Sequence, residues 1–257
     1  MANVLCIANR KGGVGKSTTL VNLARAYARG GKRVLVIDLD GQGNTSAALA
    51  SGDLDIDGAP TFAALLDDDR TNPVEPTPDP NVDLIVGNDA LLSLGDSCRQ
   101  GAFDAALEAV SGPYEVVLVD TEPRLGATTT CALGGASLAL LVTTPEVDSV
   151  SGLVKTVATL DALDAAGREV AWRILVNRAD RSPEHVQRRA DIGAEYGAKV
   201  LATVPSWVSI RSAYGLLPDE TEVSFGHGPM VRRLYDGLAR EIMPALKASK
   251  ATSSLDR

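Results

Sequence analysis

The segment Lys11-Gly12-Gly13-Val14-Gly15-Lys16-Ser17-Thr18 packs two lysines, three glycines and two hydroxyls into one short stretch. Without Cβ atoms, glycines let successive backbone N–H groups turn inward as an anion-binding concavity, and a helix that follows adds its positive end. That is the chemistry of phosphate capture. Lys16 is placed to reach terminal phosphates, and the Ser17 hydroxyl to ligate Mg²⁺. The strict G-x-x-x-x-G-K-[ST] spacing would put its first glycine at position 10. This chain has Arg10 there, so the loop takes the deviant form K-G-G-x-G-K-S. A dinucleotide-binding G-x-G-x-x-G reading fits worse, because it gives two flanking lysines nothing to do.

Two further segments supply acid. VLVIDLDGQGNTS (34–46) carries Asp38 and Asp40 at the end of an apolar run, and YEVVLVDTEP (114–123) carries Asp120. Carboxylates at the ends of buried strands, beside a phosphate loop, suit Mg²⁺, its water shell and an attacking water. The apolar pattern shows what must bring them together. Residues 4–8, 34–37, 116–119, 138–142 and 174–176 are short, nearly unbroken apolar runs, and the first stops at the glycine loop. Such runs are strands buried on both faces of a parallel sheet. Helical spacing appears at 16–29 and at 150–166, where Leu153, Val157, Leu160 and Leu163 recur every three or four residues. The alternation predicts an α/β fold, a single doubly wound, mostly parallel sheet with helices on both faces.

The stretch 67–81, DDDRTNPVEPTPDPN, holds four prolines and five acidic residues and reads as an exposed surface loop. A further strand pattern (VDLIVG) and helix pattern (102–110) follow it, so it is an insertion within one domain. The expected organisation is that domain over 1–247 and a flexible C-terminal tail over 248–257. With 25 Lys+Arg against 33 Asp+Glu the formal charge is −8, and the pI is about 4.9, so any nucleic-acid contact must be a local patch. A 45% hydrophobic, 23% charged composition excludes fibrous and wholly disordered classes. Cys6, Cys98 and Cys131 are too few and scattered for a disulfide framework and read as buried apolar side chains in a reducing compartment. The N-terminus lacks a signal-peptide pattern, and the longest mainly apolar region (132–142) is too short to cross a bilayer. The expected location is the cytoplasm.

These motifs, in this order, resemble the ParA/MinD family of deviant-Walker P-loop ATPases (SIMIBI-type P-loop NTPases), and more closely its short ParA, or Soj-like, partition branch. The resemblance spans about residues 3–245. It implies ATP and Mg²⁺ as cofactors, with the nucleotide held by Lys11, Gly12, Gly13, Val14, Gly15, Lys16, Ser17 and Thr18. It implies that Lys11 reaches across an ATP-sandwich homodimer to the other protomer's phosphates, in the manner of an arginine finger, so that Lys11, Lys16 and Asp40 form the catalytic set. By the same match Asp40 orients or activates the water, Asp38 supports Mg²⁺ and the loop lysines, and Asp120 holds Mg²⁺ through water beside Ser17. Leu175-Val176-Asn177-Arg178 resembles the strand end whose Asn reads adenine, and Ala202-Thr203-Val204-Pro205 the turn near the base. Two departures stand out. Gly41 occupies a position where the family usually has proline, which should loosen that segment. Glu122 and Arg124 bring charge to a switch that normally has none, either as a local pair or as a change in how nucleotide state is passed on.

The resemblance further implies DNA segregation or cargo positioning. ATP-bound dimers would bind DNA without sequence preference, associate with the nucleoid, and hydrolyse ATP slowly until a ParB-like or other adaptor stimulates them. DNA-facing candidates are Arg211, Arg232 and Arg233, with Arg188, Arg189, Lys199, Arg240 and Lys247 as further basic positions. The competing reading of these is solvated helix faces with local ion pairs. No helix-turn-helix segment precedes the first strand, so operator recognition is not expected. Two rivals remain. A MinD-like membrane-associated ATPase would use the apolar repeat at 230–246, although a helix packed on the sheet explains that repeat too, and no membrane contact is expected. An iron–sulfur reductase would need cysteines such as Cys98 and Cys131 to bridge two protomers.

Overall fold

The computed structural model describes residues 2–66, 71–94, 97–206 and 228–253. Strand β1 (Asn3–Ala8) passes through the glycine loop into α1 (Lys16–Arg29), and β2 (Val34–Leu39) leads to the short α2 (Asn44–Leu49). Then come α3 (Phe62–Leu66), β3 (Glu75–Pro76), β4 (Val82–Ile85), α4 (Gln100–Ser111), β5 (Val116–Thr121) and α5 (Ala127–Gly134). The chain continues with β6 (Leu138–Thr143), α6 (Val147–Ala165), β7 (Ala171–Ala179), α7 (Pro183–Tyr196), β8 (Val200–Pro205) and α8 (Gly228–Ser253). One eight-stranded sheet runs β3-β4-β2-β5-β1-β6-β7-β8, and every pairing is parallel except that of β3 with β4. This is the doubly wound sheet that the apolar runs predict.

The unbroken apolar strands have a plain cause. Successive side chains of a strand face opposite ways, so a strand covered on both sides must be apolar at every position. In β5, Val116 and Leu118 enter the layer beneath α1 and α8, while Val117 and Val119 enter the layer beneath α4, α5 and α6. On α8 the apolar stripe is buried at Val231, Tyr235, Leu238, Ile242 and Leu246, packed against α1 and the sheet. An Arg29–Asp236 ion pair crosses that seam. No helix among the described residues is long and apolar enough to cross a membrane.

Two segments differ from expectation. Helix α8 continues to Ser253, past the Lys247 boundary of the expected tail, because Ala248, Lys250 and Ala251 are good helix formers despite their small or polar character. In the Pro-rich insertion, β3 adds an antiparallel edge strand to β4, and Asp79 is buried against Arg25 of α1, Nε to Oδ2 at 2.9 Å. Proline suits an edge strand, which need not donate outward, and the arginine on α1 draws the acid in. The insertion is therefore partly docked rather than wholly exposed.

Candidate functional site

The glycine loop links the C-terminal end of β1 to the N-terminus of α1. Asn9, just past the strand, is buried and ties the loop to its neighbour. Its Nδ2 donates to the Val142 carbonyl at 2.7 Å, and its Oδ1 accepts the Lys11 N–H at 2.9 Å. Gly13 and Gly15 hold φ of +75° and +93°, the left-handed region open to glycine. A Cβ on Gly15 would also collide with Asn177 Nδ2. Helix α1 begins without a side-chain cap and without acid in its first turn, so its leading N–H groups remain for an anion. Lys16 is buried at 6% exposure in a cleft of about 410 Å³ that also exposes Gly12, Ser17, Thr18 and Asp40. Burial lowers the Lys16 ammonium from its ordinary pKa, while Asp120, Asp40 and Glu122 oppose that and favour its charge. Lys11 leaves the loop the other way. Its side chain is about 43% exposed, and Nζ lies 3.5 Å from Asp148 Oδ2 on α6.

The acids converge because β2 and β5 are adjacent, with Asp38 opposite Asp120 in the ladder. Asp120 is buried, bonded by the Thr45 hydroxyl at 2.6 Å and by the Ser17 hydroxyl; burial raises its pKa, and these bonds and Lys16 pull it back. Asp38 is wholly buried beneath the cleft. It accepts the Ser46 N–H and hydroxyl at 2.9 and 2.8 Å and the Asp40 N–H at 3.1 Å. Its partners are thus the backbone and hydroxyl of the 40–46 turn. Burial first, and Asp120 second, push its carboxyl up to about 7. Asp40 lines the cleft itself, and its Oδ1 accepts the Gln42 N–H at 3.0 Å. Asp40 and Asp120 beside a single buried ammonium leave a negative excess of hard oxygen donors, which fits Mg²⁺. Among the described residues no three acids, histidines or cysteines meet as a closed metal site. That suits an ion whose remaining ligands are phosphate and water.

Asn177, Arg178, Pro205 and Ser206 also line this cleft. Asn177 donates to the Val14 carbonyl, so its amide touches the loop as well as facing the cleft. At the departures from the family pattern, Glu122 and Arg124 form a loose local pair at 3.8 Å. A Cβ at Gly41 would meet Leu92 at an ordinary 3.4 Å, so sterics do not demand glycine there.

The basic candidates are scattered. Arg232 and Arg233 lie on the first turns of α8, with Arg233 Nε donating to the Pro229 carbonyl at 3.2 Å. Arg240 bonds the Asp236 carbonyl, Arg188 holds Pro145 O and Glu184, and Lys199 sits 4.3 Å over the Trp172 ring. Arg211 lies outside the described residues. Cys98 and Cys131 are buried with their thiols hydrogen-bonded to each other, an arrangement that presents no ligand to another protomer.

Sequence reasoning passed over Asn9, Thr45, Ser46, Gly87 and Arg178. Thr45 and Ser46 stood within the acidic segment, and hydroxyls following two aspartates were a readable signal. Gly87 was not. It lies two residues past β4, and a Cβ there would lie 2.6 Å from the Asp40 carbonyl and 2.8 Å from Asp38 Cγ, a packing visible only in three dimensions.

Comparison with known proteins agrees with this geometry. Residues 2–170 match the family described as an AAA domain. The chromosome partitioning protein ParA of Caulobacter vibrioides is 32% identical over 230 residues, 82% of this chain and 83% of that protein. The chromosome-partitioning ATPase Soj of Thermus thermophilus is 33% identical over 252 residues, 93% of this chain and 94% of that one. Among solved structures, a McdA variant from Cyanothece in complex with ATP matches with a TM-score of 0.81 at 20% identity, covering 94% of this chain and 96% of that one. At that identity the likeness speaks for the fold.

Proposed function

This chain belongs to the ParA/MinD family of ATPases, and on that premise we propose that it is a ParA-type partition or cargo-positioning ATPase. It binds Mg-ATP, dimerises around the nucleotide, holds DNA without sequence preference, and hydrolyses ATP slowly until an adaptor protein stimulates it. The observation that carries this reading is the divergence of the two loop lysines. Lys16 is buried in the cleft, whereas Lys11, five residues earlier, points out past Asp148 with its side chain about 43% exposed. That divergence supports a reading in which Lys16 serves the chain's own phosphates and Lys11 those of a second protomer.

The remaining roles follow from position. The loop N–H groups and Lys16 hold the phosphates. Ser17 directly, and Asp120 through water, would hold Mg²⁺, which when bound neutralises charge on the β- and γ-phosphate oxygens. Asp40 lines the cleft next to Lys16 and orients the attacking water, while Asp38 fixes the turn that carries Asp40. A cation from across a dimer typically adds ~10³–10⁵ to phosphoryl-transfer rates, enough to make hydrolysis conditional on pairing. Arg232 and Arg233, with Arg211, are the proposed DNA contacts. The test is the mass of the protein in solution with Mg-ATP and with Mg-ADP. The parent should double in mass only with ATP, and Lys11→Ala should bind ATP yet stay monomeric. An ATP-dependent dimer of Lys11→Ala equal to the parent's would refute the cross-protomer role.

A further inference from the structure

Capture of phosphate by the glycine loop, on which this inference rests, requires the loop's N–H groups to face inward. In a trans peptide the carbonyl then points the other way, so outward carbonyls must be accommodated. Two successive ones are. The Gly13 carbonyl accepts Arg178 Nη1 and the Val14 carbonyl accepts Asn177 Nδ2, each at 2.8 Å. These bonds fix the two peptides whose N–H groups belong to Val14 and Gly15. Asn177 Oδ1 also accepts the Arg178 N–H at 2.9 Å, which sets the amide with its oxygen toward Arg178 and its nitrogen toward the loop.

The backbone beneath this pair is unusual. Neighbouring residues of a regular strand send their side chains to opposite faces, yet Asn177 and Arg178 both reach one loop. Arg178 achieves this with φ of +53°, a left-handed conformation that arginine adopts at a cost. The β7–β8 ladder is irregular between Val176 and Ala179, around the same dipeptide. The strand thus leaves its register at the point where both side chains turn to the glycine loop.

We infer that Asn177 and Arg178 form a two-pronged clamp, and that Arg178 is a positioning residue for nucleotide binding. The guanidinium draws the Gly13 carbonyl away from the path of the anion and holds a loop containing glycines at 12, 13 and 15 in its binding form. Without the clamp the loop would have to be ordered anew on each binding event, and affinity would fall.

The experiment pairs titration calorimetry with thermal unfolding of the nucleotide-free protein. Arg178→Gly removes the donor but relieves the left-handed strain. It should weaken ADP and a non-hydrolysable ATP analogue alike by about tenfold, or about 1.4 kcal/mol, with an unfolding midpoint equal to or above the parent's. Arg178→Lys, which keeps one donor, should recover part of the affinity. Parent-like affinity in Arg178→Gly would overturn the inference, as would a loss of affinity accompanied by a lower midpoint, which would mark a merely structural role. A parent protein that binds neither nucleotide would refute the ATPase reading itself, so the two failures are distinguishable.

Discussion

At the scale of residues, the site divides into groups that face the cleft and groups that hold them there. Lys16 and Asp40 face it, whereas Asp38 lies under it with three donors on its carboxylate. Lys16→Ala should abolish ATP binding, and Asp40→Ala should bind ATP and dimerise while losing at least about 100-fold in turnover. Equilibrium binding beside single-turnover rates separates the two, and near-normal turnover of Asp40→Ala would remove its role. Asp38 makes a pH prediction. Its folded pKa is raised from 3.8 to about 7, so the native state keeps a proton that the unfolded chain has released. That stabilisation is whole below about 4 and is lost as pH rises to about 7. The urea midpoint of the ligand-free protein should fall over that range, and Asp38→Asn should flatten the fall; an unchanged slope would contradict the assignment. The types and order of Lys11, Lys16, Asp38, Asp40 and Asp120 were legible because the two lysines flank a glycine-rich loop and the three aspartates stand at or just past the ends of apolar runs. Which of them faces the cleft was not, since that depends on Ser46 and the turn it closes.

At the scale of elements, the strands were legible because burial on both faces leaves an unmistakable apolar run. The edges were less so. The Pro-rich insertion reads as solvent-exposed from composition, but Asp79 docks on Arg25, and nothing local in either segment announces a pairing across 54 residues. Both side chains are buried, at 8% and 5% exposure. Asp79→Ala, which strands the Arg25 charge, should cost about 3–5 kcal/mol of stability, and the double change Arg25→Met with Asp79→Leu should cost much less. Urea unfolding of the three proteins checks this, and equal losses would show that the pair is not the cause. The segment just past β4 bears on chemistry. A Cβ at Gly87 would push on the Asp40 carbonyl and Asp38 while leaving the glycine loop untouched. Gly87→Ala should therefore lower kcat about tenfold or more and change ATP affinity little; a loss confined to affinity would contradict that division.

At the scale of the whole molecule, an acidic chain of net charge −8 is proposed to hold DNA. This requires dimerisation to gather basic side chains that one protomer keeps apart. Within the chain, Arg188, Arg233 and Arg240 each donate to a nearby carbonyl, and the proposed contact is at the first turns of α8, where Arg232 and Arg233 are adjacent. The apolar stripe of α8 was legible as a helix packed on the sheet, and the fold bears this out; its packing against α1 as well, with Tyr235 and Ile242 in the core, was not legible. DNA holding is tested by retention on random-sequence duplex DNA with Mg-ATP and with Mg-ADP, across a salt series. A DNA-bound ATP dimer should give retention with ATP alone, falling steeply as salt rises because phosphate contacts release counterions. Equal retention in both nucleotide states, or none in either at low salt, would contradict it.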